Sequence, residues 1–400
     1  MLKGKSILLG VTGSVAAYKT IELIRLIKKE EASVRVIMTE ASQRFMTPLS
    51  AEIASGDHVY RDMFDPPLSH ISLPATADLL VVAPATANII GKYANGIADD
   101  MLSTAMMAFQ GKVIIAPAMN RRMYESPQVQ KNLRYLESLG VTFAGPDKGV
   151  LACGEEGIGR MAGIDSIMDK IRSALTEQDL EGEQILVTAG PTREYIDPIR
   201  YVSNRSSGKM GYAIAAVAKR RGAEVTLITG PSALTPPEGV EVIKVETAAE
   251  MHQAVMDNFP MSTIFVMSAA VSDFSPVKTE CAKIEKPDNF TLHLRKTSDI
   301  LEEAGRLKKR PYTVGFSAET GFRLDRAKKK LTAKNMDMMV FNDVTKEGSG
   351  FDKDTNEVVI LNRDKSGNIV EMPLPLMSKE NVAAMIFDRI SMQRERPDNE

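Results

Sequence analysis

Cysteine and histidine are scarce in these 400 residues: Cys153 and Cys281 are the only thiols, and His58, His70, His252 and His293 the only imidazoles. The cysteines lie far apart and form no C-x-x-C pair, which argues against a disulfide framework or a structural zinc site. Long apolar runs are missing too. None approaches the roughly 20 residues that span a bilayer, and the opening MLKGKSILLGVTGS lacks the longer apolar region and cleavage site of a signal peptide. Neither sign of charge dominates, with 50 Lys and Arg against 52 Asp and Glu for a net charge of −2. Nothing global therefore favours nucleic acid or a membrane as partner. The expectation is a cytoplasmic, reducing location and small-molecule chemistry.

What is present is enough apolar residue, 44%, to fill substantial cores, in a chain longer than one core usually organises. The run SILLGV at 6–11 ends in glycine, and Ser14 follows as a candidate N-cap for a helix with apolar Ala17, Tyr18, Ile21, Ile24 and Ile27. SVRVIM, DLLVVA and KVIIA repeat the short β-branched run with helix-compatible segments between. Strands alternating with helices predict a parallel, doubly wound sheet. After a closing helix at 164–175 and the polar TEQDLEGEQ at 176–184, the pattern restarts with QILVTAG, EVTLITG, TIFVMSA, YTVGFSA and DMMVFND. EVVILNRDKSGNIVEMP alternates around a Ser-Gly-Asn turn and reads as a hairpin added to the second sheet. The fold class is α/β, with two doubly wound, mainly parallel-sheet domains at 1–178 and 184–400.

Chemistry concentrates in two sets of loops. In the first half, the turn in GVTGSVAAYK offers N–H groups and the Ser14 hydroxyl to a phosphate, or is an ordinary tight turn. PATANI at 84–89 follows another strand, on the edge where ligands bind open α/β sheets. His70 is a catalyst or a structural hydrogen-bonder. Asn120, in PAMNRRMY, binds a carboxylate or caps a helix. Cys153 sits in GVLACGEEGIGRM among glycines that give a thiol no packing role.

GVTGSVAAYK, SHISL, PATAN, ANGIADD, PAMNRRMY and ACGEEGIGRM together resemble the flavin-dependent phosphopantothenoylcysteine decarboxylases over roughly residues 1–175. Thr86 stands where the family's PASANT element has Ser, and Tyr124 where some members have Trp. The resemblance implies a flavodoxin-like or Rossmann-like flavoprotein domain with FMN as cofactor, held by Gly13, Ser14, Thr39, Thr86 and Asn88. It further implies that Cys153 is the final proton donor on a mobile clamp, that Asn120 holds the substrate carboxylate, and that His70 orients substrate or moves a proton.

In the second half, TAGPTREYIDPIRYVSNRSSGKMG places Arg200, Arg205 and Lys209 beside Ser206, Ser207 and Gly208 at a helix start, where a polyanion finds charge and backbone donors. A solvated capped turn is the plainer reading, and the spacing is not that of a P-loop. AAVSDF delivers Asp273 near the same sheet edge, and AKIEK supplies Lys283 and Lys286. Lys330 and Lys334 share one helix face, which meets a triphosphate or is simply exposed.

These elements, with KTSDIL, GFSAET and NDV, resemble phosphopantothenate-cysteine ligase over roughly 185–392. The resemblance implies a Rossmann-like nucleotide-binding domain that couples CTP cleavage to amide formation through an acyl-cytidylate. Asn204 then steadies that intermediate and Lys283 acts at the acyl or phosphate centre. Met267, Ser268, Ala269, Asp273, Lys283, Ser298, Asp299, Ile300, Leu301, Phe316, Lys330 and Lys334 line the CTP site. Glu285 departs from the family's K-I-K-K. Mg²⁺ is expected with the triphosphate, its ligands unknown.

The two resemblances, in this order, imply successive steps of coenzyme A biosynthesis acting on 4′-phosphopantothenate, cysteine and CTP. They imply a homo-oligomer with trimeric contacts in the first half and dimeric contacts in the second. A flavin and nicotinamide oxidoreductase would need a G-x-G-x-x-G fingerprint, absent from both halves. A non-catalytic flavoprotein would be expected to lack one of His70, Asn120 and Cys153, and all three are present.

Overall fold

The computed structural model describes residues 2–64, 66–150, 154–285, 289–346, 348–350, 352–364 and 366–394. It divides into two compact units, Met1–Thr176 and Glu177–Glu400.

In the first unit the strands are β1 (Ser6–Val11), β2 (Ser33–Met38), β3 (Val59–Tyr60), β4 (Leu79–Ala85), β5 (Lys112–Pro117) and β6 (Thr142–Phe143). They form one parallel sheet in the order β3-β2-β1-β4-β5-β6. Its helices are α1 (Thr20–Lys29), α2 (Pro48–Ser55), α3 (Ser69–Ala75), α4 (Ala87–Ala94), α5 (Met101–Ala108), α6 (Arg121–Tyr124), α7 (Pro127–Ser138) and α8 (Ile164–Leu175). Every residue of β4 is buried. A central parallel strand has helices on both faces, so it carries no polar alternation and reads as one apolar run. One core packs Leu23, Ile24 and Ile27 of α1 and Ile167 and Ile171 of α8 on one face. Leu102 and Met106 of α5 and Leu133 and Leu136 of α7 fill the other.

Two local readings change. Ser14 caps a short 3-10 turn, Val15–Lys19, and α1 begins only at Thr20. Tyr18, expected on the apolar face, consequently points to solvent. The stretch expected to be a glycine loop carries an antiparallel ribbon at its ends, β7 (Asp147–Val150) and β8 (Glu156–Arg160). Cys153, between them, lies outside the described residues.

The second unit repeats the architecture. Its strands are β9 (Gln184–Ala189), β10 (Arg193–Tyr195), β11 (Tyr201–Ser203), β12 (Glu224–Thr229), β13 (Glu241–Lys244), β14 (Ile264–Met267), β15 (Phe274–Pro276), β16 (Leu294–Lys296), β17 (Tyr312–Glu319), β18 (Met338–Asp343), β19 (Thr355–Arg363) and β20 (Ile369–Ser378). The helices are α9 (Lys209–Arg220), α10 (Ala248–Asn258), α11 (Ile300–Gly305), α12 (Leu324–Ala333) and α13 (Lys379–Arg394). The main sheet runs β13-β12-β9-β14-β17-β18-β19-β20. The first six strands are parallel, and β19 and β20 add the antiparallel hairpin that the alternating segment predicts.

Numbered within each unit, both parallel sheets have the order 3-2-1-4-5-6. Crossovers leave the first strand to opposite sides, which opens a crevice at the carboxyl ends of the first and fourth strands. The small two-stranded sheets β10–β11 and β15–β16 stand apart from the main sheet.

Candidate functional sites

In the first unit the carboxyl ends of β1, β2, β4 and β5 deliver Gly13–Ser14, Thr39, Thr86 and Asn120. The first link across the crevice is Thr12. Its hydroxyl donates to the Pro84 carbonyl at 2.7 Å and accepts the Thr86 N–H at 3.0 Å. Thr12 is buried, so it fastens β1 to the start of α4. Gly13 allows the turn to approach the segment after β2, because a Cβ there would lie 2.6 Å from the Ala41 Cβ.

A cleft of about 580 Å³ opens beside this turn, lined by Ser14, Val15 and Lys19 on one side and by Asn120, Val150 and Arg160 on the other. Among the described residues, the lining carries two cationic side chains and no carboxylate. The N–H groups of Ser14, Ala16 and Ala17 are bonded to Thr12 and Ser14 within the turn, so Lys19 and Arg160 are what this lining offers an anion. Ser14 and Asn120, more than 100 residues apart, thus face one space. Asn120 caps α6, its Oδ1 accepting the Arg122 N–H at 2.8 Å, and this sets the plane of its carboxamide. The adjacent Met119 N–H donates to Gly159 at 2.9 Å, seating β8 against the end of β5. Gly159 has φ +136°, and a Cβ there would meet the Met119 carbonyl at 2.3 Å. Only glycine allows the ribbon this close.

Thr39, Thr86, Asn88 and His70 are outside the lining of that cleft. The Thr86 N–H is taken by Thr12, and Asn88 is exposed in the first turn of α4. His70 lies in the first turn of α3 with Nδ1 3.4 Å from the Met63 carbonyl, while the Met63 sulfur accepts from Thr104 of α5. The ANGIADD segment is a lock. Lys92 of α4 meets Asp99 and Asp100 at 2.6 Å each, and Asp100 caps α5. Burial disfavours the Lys92 charge, yet the two carboxylates outweigh it and raise the ammonium's pKa.

In the second unit, Asn204 follows β11, and its Nδ2 donates to the Val271 carbonyl at 2.9 Å. This fastens it to the loop that follows Met267, the last residue of β14, and carries Ser268, Ala269 and Asp273. The Ala269 N–H donates to the Thr188 hydroxyl and the Ala270 N–H to the Gly190 carbonyl, binding that loop to the end of β9. Asp273 and Lys283 are exposed, and Phe316 is half-buried on β17. Ile300 and Leu301 have their side chains in the core, so only their backbone is open to a ligand. Ser298 is exposed just before the α11 N-cap, Asp299.

Four of the cations expected to meet a polyanion or triphosphate are paired with acids. Lys330 pairs with Glu319 at 2.9 Å and Lys334 with Asp299 at 2.7 Å. Burial opposes ionisation of both acids, but the lysines prevail and hold each carboxyl below its ordinary range. Arg205 meets Asp352 at 3.0 Å, and Lys209 meets Asp354 at 2.7 Å. Arg200, expected to serve a polyanion, instead contacts Asp197 and the Ile284 carbonyl. Lys286 lies outside the described residues. Among those described, no three His, Cys, Asp or Glu side chains gather to hold a metal. No helix among them is long and apolar enough to cross a membrane.

Residues 1–176 match the Flavoprotein family, and residues 180–393 match the DNA/pantothenate metabolism flavoprotein C-terminal domain. These define a two-domain protein of the flavoprotein and pantothenate-metabolism class. At full length the chain is 45% identical to the coenzyme A biosynthesis bifunctional protein CoaBC of Bacillus subtilis, covering 98% of each. It is 43% identical to the protein of that name from Escherichia coli K12, covering 97% of each. A crystal structure of the C-terminal domain of CoaBC is 40% identical and covers 55% of this chain and 99% of that one, with TM-score 0.46. The chain belongs to the family of coenzyme A biosynthesis bifunctional proteins, and it is an enzyme.

Proposed function

We propose that the chain carries out two consecutive steps. Its C-terminal domain, 184–400, joins 4′-phosphopantothenate to cysteine with CTP through an acyl-cytidylate. Its N-terminal domain, 1–178, then decarboxylates phosphopantothenoylcysteine to 4′-phosphopantetheine with FMN as cofactor. The observation that carries the reading is the cleft where Ser14 and Asn120 face one space: one end suits a phosphate and the other a substrate carboxylate.

The cationic lining fits the phosphate of FMN, with Gly13, Thr39, Thr86 and Asn88 as its further neighbours. Bound there, FMN supplies the electron sink that an aliphatic cysteine carboxylate lacks. Asn120 holds the carboxylate that departs as CO₂. Cys153 gives its proton to the carbon left behind, and His70 orients the substrate. Val150 of β7 and Arg160 of β8 line the cleft on either side of the 151–153 segment.

In the ligase reaction the pantothenate carboxylate attacks the α-phosphorus of CTP and pyrophosphate leaves. The cysteine amine then attacks the acyl carbon and CMP leaves. Lys283 stabilises the charge that develops in the first transfer, and Asn204 holds the acyl-cytidylate for the second. Ser298, the backbone of 299–301, Phe316, Lys330 and Lys334 receive the nucleotide, with Asp273 beside its base. Mg²⁺ enters with the triphosphate as part of the substrate. The reading keeps the enzyme in the cytoplasm, where thiols stay reduced, as a homo-oligomer.

The test is direct. Purified protein given phosphopantothenate, cysteine, CTP and Mg²⁺ releases pyrophosphate and CO₂ and yields phosphopantetheine by mass. Pyrophosphate without CO₂ means an inactive first domain, and no reaction with any nucleotide overturns the assignment.

A further inference from the structure

Lys283 has no hydrogen bond or ion pair among the described residues, so its placement depends on its backbone. That backbone is held from one side. The segment before it is tied to the β10–β11 hairpin by the Thr279 hydroxyl, which donates to the Tyr195 carbonyl at 3.0 Å, and by the Glu280 N–H, which donates to Ile196 at 2.9 Å. The residue after it is held at both its polar groups: the Ile284 N–H donates to Asp197 Oδ2 at 3.2 Å, and the Ile284 carbonyl accepts from Arg200 Nη2 at 2.5 Å.

Asp197 has no exposed surface. A buried carboxylate is costly unless its oxygens are fully used, and here they are. Oδ1 accepts the N–H groups of Ile199 and Arg200 at 2.8 Å each, closing the hairpin turn. Oδ2 accepts Ile284 and faces Arg200 Nε at 3.2 Å. One oxygen shapes the turn and the other reaches 87 residues along the chain. The same hairpin leads directly into Asn204. A single rigid element therefore sets the backbone positions of both residues assigned to the ligase chemistry.

We infer that Asp197 is a positioning residue for the ligase reaction, holding the 283–284 backbone where Lys283 meets the reacting centre without itself touching substrate. The inference rests on the catalytic reading of Lys283. A displacement of about 1 Å at a reacting group costs on the order of 100-fold in rate, so losing the Ile284 anchor should affect turnover well before nucleotide binding.

The experiment uses the full-length, flavin-loaded protein and measures steady-state pyrophosphate release from CTP and phosphopantothenate with saturating cysteine, so that the acyl-cytidylate is consumed and the site turns over. Asp197→Asn keeps one oxygen for the turn but sets an NH₂ against the Ile284 N–H. Asp197→Ser retains an oxygen for the turn and is too short to reach Ile284, and it serves if the Asn variant does not fold. The expected result is a kcat lower by roughly 10–100-fold, a KM for CTP within about twofold, and unchanged decarboxylation of supplied phosphopantothenoylcysteine. Lys283→Ala run in parallel is inactive, and combining it with the Asp197 variant adds nothing, because a positioning residue acts through its partner. Wild-type kcat in the Asp197 variant that folds, or a KM for CTP raised as much as kcat falls, overturns the positioning role. A fully active Lys283→Ala overturns the catalytic reading beneath it, and the two failures are told apart by which variant stays active.

Discussion

The Thr12 hydroxyl bonds across the crevice of the first sheet to Pro84, donating to its carbonyl at 2.7 Å while accepting the Thr86 N–H. Neither partner is exchangeable with water, since Thr12 and Pro84 are buried. Thr12→Val keeps the shape, removes both bonds and leaves the Thr86 N–H without its acceptor. A fully buried orphaned donor costs about 1–3 kcal/mol; the part-buried Thr86 N–H costs toward the low end, and the start of α4 should drift from the end of β1. The expected outcome is a lower midpoint of thermal unfolding with less flavin retained per chain, both restored by Thr12→Ser. Full flavin content in the valine variant would separate this contact from cofactor binding.

Asn204→Asp tests the second site through a similar contact. Its Nδ2 donates to the Val271 carbonyl at 2.9 Å, and a carboxylate would set oxygen against oxygen there. The side chain must swing away, and the intermediate loses its holder while the nucleotide site stays intact. Acyl-cytidylate should then accumulate in quenched reactions followed by mass, with transfer to cysteine slowed more than activation. Equal slowing of both steps would reduce Asn204 to a structural role.

The long strands of both sheets are legible because a parallel strand covered on both faces is an apolar run, as in SILLGV and DLLVVA, whereas the short edge strands β3, β6 and β13 carry no such run and are not read from the sequence. Nor are the small ribbons. DKGV and LRK are polar and largely exposed, and β15 pairs with a strand some twenty residues away, too far along the chain for a hairpin turn to announce the pairing. Gly13, Ser14, Asn120 and Asn204 are legible as loop residues after strands. Thr12 and Asp197 are not, because what singles them out are partners 72 and 87 residues distant. The only local hint at Asp197 is the turn sequence D-P-x-R. Lys330 and Lys334 are legible as one helix face, but their acidic partners come from other elements and are invisible to spacing along that helix.

Those acidic partners give a prediction with the less intuitive sign. Lys330 meets Glu319 and Lys334 meets Asp299, so an incoming triphosphate competes with carboxylates already in place. Glu319→Gln removes the competitor and leaves the cation. A pair at the protein surface is worth about 0.2–1 kcal/mol, and with Glu319 itself largely buried the KM for CTP should fall by about fivefold, less at high salt. Lys330→Ala should raise it. An unchanged KM in both variants would remove Lys330 from the nucleotide site.

Stability of the second unit depends on Arg221, whose guanidinium is nearly buried between two acids. Its Nε donates to Asp179 at 2.8 Å and its Nη1 to Asp388 at 2.6 Å, which fastens the start of the unit to the end of α9 and to α13. The hydrogen bond from Arg221 holds the Asp179 carboxyl below its ordinary value of 3.8. The folded state thus favours the carboxylate. Its contribution is complete above the unfolded value, near pH 4, and is lost as pH falls through the lower folded value. Arg221→Leu leaves two partly exposed carboxylates without their partner and should cost about 1–3 kcal/mol at neutral pH, below the figure for a fully buried pair. With no tryptophan in the chain, urea unfolding is followed by circular dichroism. The gap between wild type and variant should be constant from pH 6 to 8 and shrink below pH 4. A gap that widens in acid would assign the stabilisation to something other than this ion pair.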